Sequence, residues 1–284
     1  MRGKCRSIEA GQIVLAQYYQ LTNMRRALMS EQEPQAKRRR GIYLLPNLFT
    51  TAALFSGFYA VLAAVNGQYE PAALAIFVAM ILDGLDGRVA RLTNTQTQFG
   101  AEYDSLSDMV AFGLAPALVM YVWALKGLGK FGWMAAFIYT AAAALRLARF
   151  NTQVGIADKR YFQGLPSPAA AAILAAGIWA GVEYEIPIDD MAVFPGLLTA
   201  VVGLLMVSNL RYHSFKELDF RGKVPFFMLV VIMLAFAISQ WETPLFLFVA
   251  FLCYAVSGPV LTLVYLRQRR KEREKGLKTE AEEE

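Results

Sequence analysis

Eight apolar runs, each close to the length that crosses the hydrocarbon core of a bilayer, constrain this chain more than anything else in it. They cover roughly residues 44–65, 70–92, 100–124, 131–150, 166–184, 190–208, 224–240 and 244–266. Hydrocarbon offers no partner to a backbone N–H or C=O, so a crossing segment must satisfy those groups itself, as a helix does. The expected fold is an all-α integral membrane protein, a bundle of about eight transmembrane helices. A hydrophobic content of 56% over 284 residues, with mean hydropathy +0.38, excludes both a disordered chain and an ordinary soluble domain. Residues 1–40 read as a polar N-terminal tail, 41–266 as the transmembrane domain and 267–284 as a charged C-terminal tail.

Charge sets the expected orientation. Both chain ends are basic, and so are the connections near 88–99, 146–165 and 211–223. With these in the cytoplasm, all of the 28 Lys and Arg except Lys126 and Lys130 lie inside, as the positive-inside rule requires. The other side receives the acidic stretch GVEYEIPIDD, residues 181–190. Lys37–Arg40 suits anionic headgroups, or serves only as a topology signal. Residues 1–28 read as an extension upstream of Met29, with no part in the chemistry. Cys5 and Cys253 imply no bridge. His213, the single histidine, reads as a solvated loop residue, so nucleophilic triads and zinc hydrolysis have no basis here.

Ionisable residues within such runs point to function by default. From Asp83 to Asp108 the pattern is D-x-x-D-G-x-x-A-R, eight residues, then G-x-x-x-D-x-x-x-D. At helical spacing Asp83, Asp86, Gly87, Ala90 and Arg91 share one face. Gly100, Asp104 and Asp108 stand four apart on a second helix. A polar turn around Thr93–Gln98 lets the two faces oppose. Four carboxylates in one small volume repel unless cations sit between them. Hard oxygen ligands favour Mg²⁺, Mn²⁺ or Ca²⁺ over zinc or copper. The bland alternative is a set of helix-end aspartates in solvated loops. Asn47 and Thr50, just after Pro46, fall at the same depth, as helix-start residues or as contacts.

The aspartate pattern resembles the signature of the CDP-alcohol phosphotransferase family, with all eight fixed positions present, and the likeness extends over about residues 41–270. The resemblance implies that Asp83, Asp86, Asp104 and Asp108 hold two divalent ions, Mg²⁺ or Mn²⁺, on the pyrophosphate of a CDP-linked lipid. An alcohol attacks the phosphorus nearer the lipid, and CMP leaves. Asp108 is also the candidate general base, effective only while developing charge is stabilised. Asn47, Thr50, Gly87, Ala90, Arg91 and Gly100 are expected near the nucleotide and diphosphate. A homodimer is implied too. The expected setting is a bacterial inner membrane, with termini and site cytoplasmic, membrane lipids as partners and no nucleic acid.

A second unusual place is ALRLARFN, where Arg146 and Arg149 lie one turn apart with Asn151 just after. Such arginines often only snorkel to headgroups, but two on one face suit bidentate recognition of an anion. With the stretch FQGLPSPAAA at 162–171, they resemble the family branch that uses CDP-diacylglycerol and L-serine. That resemblance puts Arg146, Arg149 and Asn151 at the serine. The rivals are a sister enzyme for glycerol phosphate, inositol phosphate or choline, a cation transporter, and a non-catalytic lipid-binding scaffold. Transport sites normally lie near the midplane, whereas these aspartates map to one end.

Overall fold

The computed structural model describes residues 44–153, 161–213 and 242–283. Helices α1 (Leu44–Val65), α2 (Tyr69–Leu92), α3 (Gln98–Leu128) and α4 (Lys130–Gln153) follow one another with short turns. Strand β1 (Tyr161–Gln163) then leads to α5 (Ser167–Glu183), the single turn α6 (Ile188–Met191) and α7 (Val193–Val207). Strand β2 (Arg211–His213) and the long α8 (Thr243–Glu283) complete the described chain. The expected apolar runs coincide with α1 to α5, α7 and α8, while 224–240 lies outside the described residues.

Among the described residues, four helices are long and apolar enough to cross a membrane: Leu45–Val65, Gln98–Leu128, Lys130–Thr152 and Thr243–Tyr265. Helix α2 carries its aspartates and arginines in its second half, while α5 and α7 have 17 and 15 residues. At 1.5 Å per residue those two fall short of a core ~30 Å thick. The fold is helical, as expected, with one small exception: β1 and β2 form an antiparallel ribbon with Phe162 opposite Tyr212. Three-residue strands are too short to show an alternating pattern, which is why the sequence does not announce them. His213 therefore stands in a strand rather than an irregular loop. The charged tail continues α8 as helix to Glu283.

Helix α5 holds the core. Ala169 to Ala176 are all buried in sequence, so the helix is covered on every side, by α8, α2, α3 and α7. Small side chains let helices approach closely where lipid supplies no hydrophobic drive. Gly57 of α1 is the tightest case beside the aspartates. A Cβ there would lie 2.7 Å from the Ala111 Cα of α3, so the two backbones touch.

Beyond the first turns, two of the described helices carry a proline in their interior, and both use the same repair. Pro116 has no N–H for the carbonyl of Phe112, four residues back, and the buried Tyr139 hydroxyl donates to that oxygen at 3.0 Å. Pro259 likewise leaves Ala255, whose carbonyl accepts the Tyr212 hydroxyl at 3.0 Å. Around Pro116, α3 is not regular: Met109–Leu114 and Tyr121–Leu125 are π-helical and Lys126–Leu128 is 3₁₀.

Candidate active site

The turn that joins α2 to α3 builds the site. Thr93 caps α2, Asn94 takes φ of 50°, which asparagine tolerates, and Thr97 opens α3 by accepting the Gly100 N–H at 3.0 Å. The two helices run back past each other, and the helical register brings their acidic faces together. Carboxylate oxygens of Asp83, Asp104 and Asp108 all lie within 4.8 Å of one another. Asp83 and Asp108 are within hydrogen-bonding range of each other. Asp108 is the last regular α-helical residue before the first π segment, the kind of local irregularity that clusters at functional sites.

Asp86 stands beside these three, close enough for charge repulsion with each. It is 5% exposed, and its Oδ2 accepts the Thr50 hydroxyl of α1 at 2.7 Å. The structure thus gathers three of the predicted ligands and fixes the fourth next to them through α1. Helix α1 is itself docked on α3: the Ser107 hydroxyl donates to the Thr50 carbonyl at 3.0 Å, and Thr51 and Tyr103 share a hydrogen bond of 2.9 Å.

The donor set fits a divalent cation. All candidate ligands are carboxylate oxygens, and Asp104 Oδ1 is buried with no hydrogen-bond partner among the described residues. A buried anionic oxygen left so is costly unless a cation meets it. Hard oxygen donors suit a hard divalent ion of the Mg²⁺, Mn²⁺ or Ca²⁺ kind.

The residues expected at the nucleotide distribute around this cluster. A Cβ on Gly87 would meet nothing within 4 Å, so its face is open, and the exposed Arg91 folds its Nε onto the Gly87 carbonyl at 2.9 Å. Ala90 is half-buried one turn on. The Asn47 side chain faces Gly100, its Oδ1 3.5 Å from where a Cβ would be. Thr50 is turned to Asp86 rather than outward.

The three acceptor candidates of α4 separate. Arg146 lies within electrostatic reach of Asp108, Tyr139 and Tyr254; its Nη1 donates to the Ser167 hydroxyl at 2.9 Å, and its Nε is buried without a hydrogen-bond partner among the described residues. Arg149 points instead to the end of α7, where Nη1 donates to the Val207 carbonyl at 3.0 Å and to Asn209 Oδ1 at 3.3 Å. Asn151 Nδ2 donates to the Ser105 hydroxyl at 3.0 Å, fastening α4 beside Asp104. Ser167, Ser105 and Tyr254 are not legible as site residues from sequence. Only Ser167 left a trace, as part of the stretch 162–171 that stood out beside Arg146 and Arg149.

The comparisons with known proteins follow this geometry. Residues 43–202 match the family model described as CDP-alcohol phosphatidyltransferase. A CDP-diacylglycerol–serine O-phosphatidyltransferase of Helicobacter pylori is 40% identical over 195 residues, 68% of this chain and 81% of that protein. One of the same name from Mycobacterium tuberculosis is 40% identical over 145 residues, 49% of this chain and 50% of its own. An archaetidylserine synthase of Methanothermobacter thermautotrophicus is 30% identical over 178 residues, 62% of this chain and 72% of its own.

Proposed function

The chain belongs to the CDP-alcohol phosphatidyltransferase family, and from that premise we propose that it transfers a phosphatidyl group from CDP-diacylglycerol to the hydroxyl of L-serine, releasing CMP. The observation that carries this reading is the pairing of a carboxylate cluster with one buried arginine. Asp83, Asp104 and Asp108 converge, Asp104 keeps a buried oxygen unpartnered among the described residues, and Arg146 of α4 lies within electrostatic reach of Asp108. The relatives point the same way: two are named for the serine reaction, and the archaeal one keeps serine in its name with a different lipid.

Two divalent ions held by Asp83, Asp86, Asp104 and Asp108 would supply electrophilic stabilisation of the phosphoryl oxygens and the leaving CMP. The chain's own residues do the rest. The open backbone at Gly87 admits the diphosphate closely, with Ala90 one turn on and Arg91 at its edge, and with Asn47 set against Gly100 at the start of α3. Asp108 takes the serine hydroxyl proton as its oxygen attacks the phosphorus nearer the lipid; the bond from that phosphorus to the CMP oxygen breaks. Arg146 pairs the serine carboxylate, and the ammonium sits on the acidic side. Arg149 and Asn151 brace α4 for this task. In the membrane we place this end of the bundle at the cytoplasmic face, in a protein of about eight spans that pairs with a second copy.

The test is CMP release by the purified chain given CDP-diacylglycerol and a panel of alcohols. Serine should support turnover well above glycerol phosphate, inositol phosphate or choline. A chelator should abolish it and Mn²⁺ or Mg²⁺ restore it. Preference for another alcohol would move the protein to a sister activity, and metal flux in liposomes without CMP would make it a transporter.

A further inference from the structure

Arg146 is held from outside its own helix. The Ser167 hydroxyl that accepts its Nη1 is 1% exposed and begins α5 directly after Pro166. The strap leading to Ser167 is pinned along its backbone. The Gly164 N–H donates to the Leu210 carbonyl at 2.9 Å, and the Leu165 N–H to the Leu205 carbonyl at 3.0 Å. Gly164 has φ of +78°, and a Cβ there would fall 2.1 Å from the Met206 oxygen, so only glycine lets the strap lie this close to the end of α7. Arg149 grips that same end from α4, through Val207 and Asn209. Strap, α7 end and α4 therefore form one fastened unit with Ser167 at its tip.

A guanidinium is planar, so fixing one of its nitrogens sets the direction of the others. With Nη1 on Ser167, the buried Nε has no hydrogen-bond partner among the described residues, and Asp108 lies within electrostatic reach of the charge. We propose that Ser167 is a positioning residue for the acceptor: its hydroxyl orients Arg146 so that the guanidinium meets the serine carboxylate. This rests on the reading of Arg146 as the partner of that carboxylate.

The experiment is steady-state kinetics on the purified full chain, varying serine and CDP-diacylglycerol separately. Ser167→Ala should raise the serine KM about ten- to a hundredfold, the loss expected for one hydrogen bond to a charged group. Its kcat and its KM for CDP-diacylglycerol should stay within about twofold, and residual use of ethanolamine, which lacks the carboxylate, should not change. Ser167→Thr should restore the serine KM. In an Arg146→Ala background, Ser167→Ala should add nothing. If Ser167→Ala does not accumulate as folded protein, Ser167→Thr and Ser167→Val, alike in shape and different in the hydroxyl, make the same comparison.

An unchanged serine KM in Ser167→Ala, or a full additional loss in the Arg146→Ala background, overturns the positioning role. Failure of the underlying reading looks different. Arg146→Ala would then raise the KM for CDP-diacylglycerol and spare serine. Ser167→Ala should follow it onto the lipid substrate if the hydroxyl positions the arginine, and should follow neither substrate if it does not.

Discussion

Thr50 has one hydroxyl proton and two oxygens within reach, Asp86 Oδ2 at 2.7 Å and the Pro46 carbonyl at 3.1 Å. The shorter, charge-assisted bond takes the larger share of it, which makes Thr50 the orienter of a candidate metal ligand. Losing such a contact typically weakens metal binding by about ten- to a hundredfold. Thr50→Val should therefore need about ten times more Mn²⁺, or beyond, to reach half of the metal-induced rise in melting temperature, whereas Thr50→Ser should not. An unchanged midpoint in Thr50→Val would remove that role. The aspartates themselves were legible because a helical period places them on one face. Thr50 was legible as a polar residue at the same depth, but its bond to Asp86 was not, since the two stand on different helices 36 residues apart. Arg149 shows the same limit. Its charge is visible in the sequence, but its target, a carbonyl 58 residues on, is set by how α4 and α7 pack.

Among the elements, α3 departs most from its sequence pattern. Its apolar run predicts one regular helix, yet it winds into π segments on both sides of Pro116. A proline marks a missing donor but does not say how the surrounding turns will rewind. The small-residue contact between α1 and α3 can be tested directly. In Gly57→Ala the new methyl meets the Ala111 backbone, which cannot move away as a side chain could. Overpacking of this kind typically costs about 1–3 kcal/mol. The variant should melt earlier in detergent, and its CMP release should fall even at saturating metal, because Ala111 lies one turn after Asp108. Wild-type melting and turnover would mean that the two helices can separate freely.

Across the molecule, the Tyr212 phenol ties the ribbon to α8. Tyr212 of β2 reaches the carbonyl that Pro259 leaves without a donor, and its ring lies 5.6 Å from that of Tyr254, which is within electrostatic reach of Arg146. Tyr212→Phe leaves that buried carbonyl unpaired, for about 1–3 kcal/mol, and should lower the melting temperature. Adding Pro259→Ala should recover much of the loss, because alanine supplies the N–H that proline lacks. No recovery in the double variant would show that the phenol serves something other than the proline. Nothing in either segment read alone hints at the link, and the order of the runs tells only that both exist. Proline and tyrosine are here two halves of one inherited character, written at distant places in the chain. A lineage that loses Pro259 is free to let Tyr212 drift, and one that keeps the proline must keep the hydroxyl. The same bookkeeping binds Pro116 to Tyr139, so descent should pass each pair on, or discard it, whole.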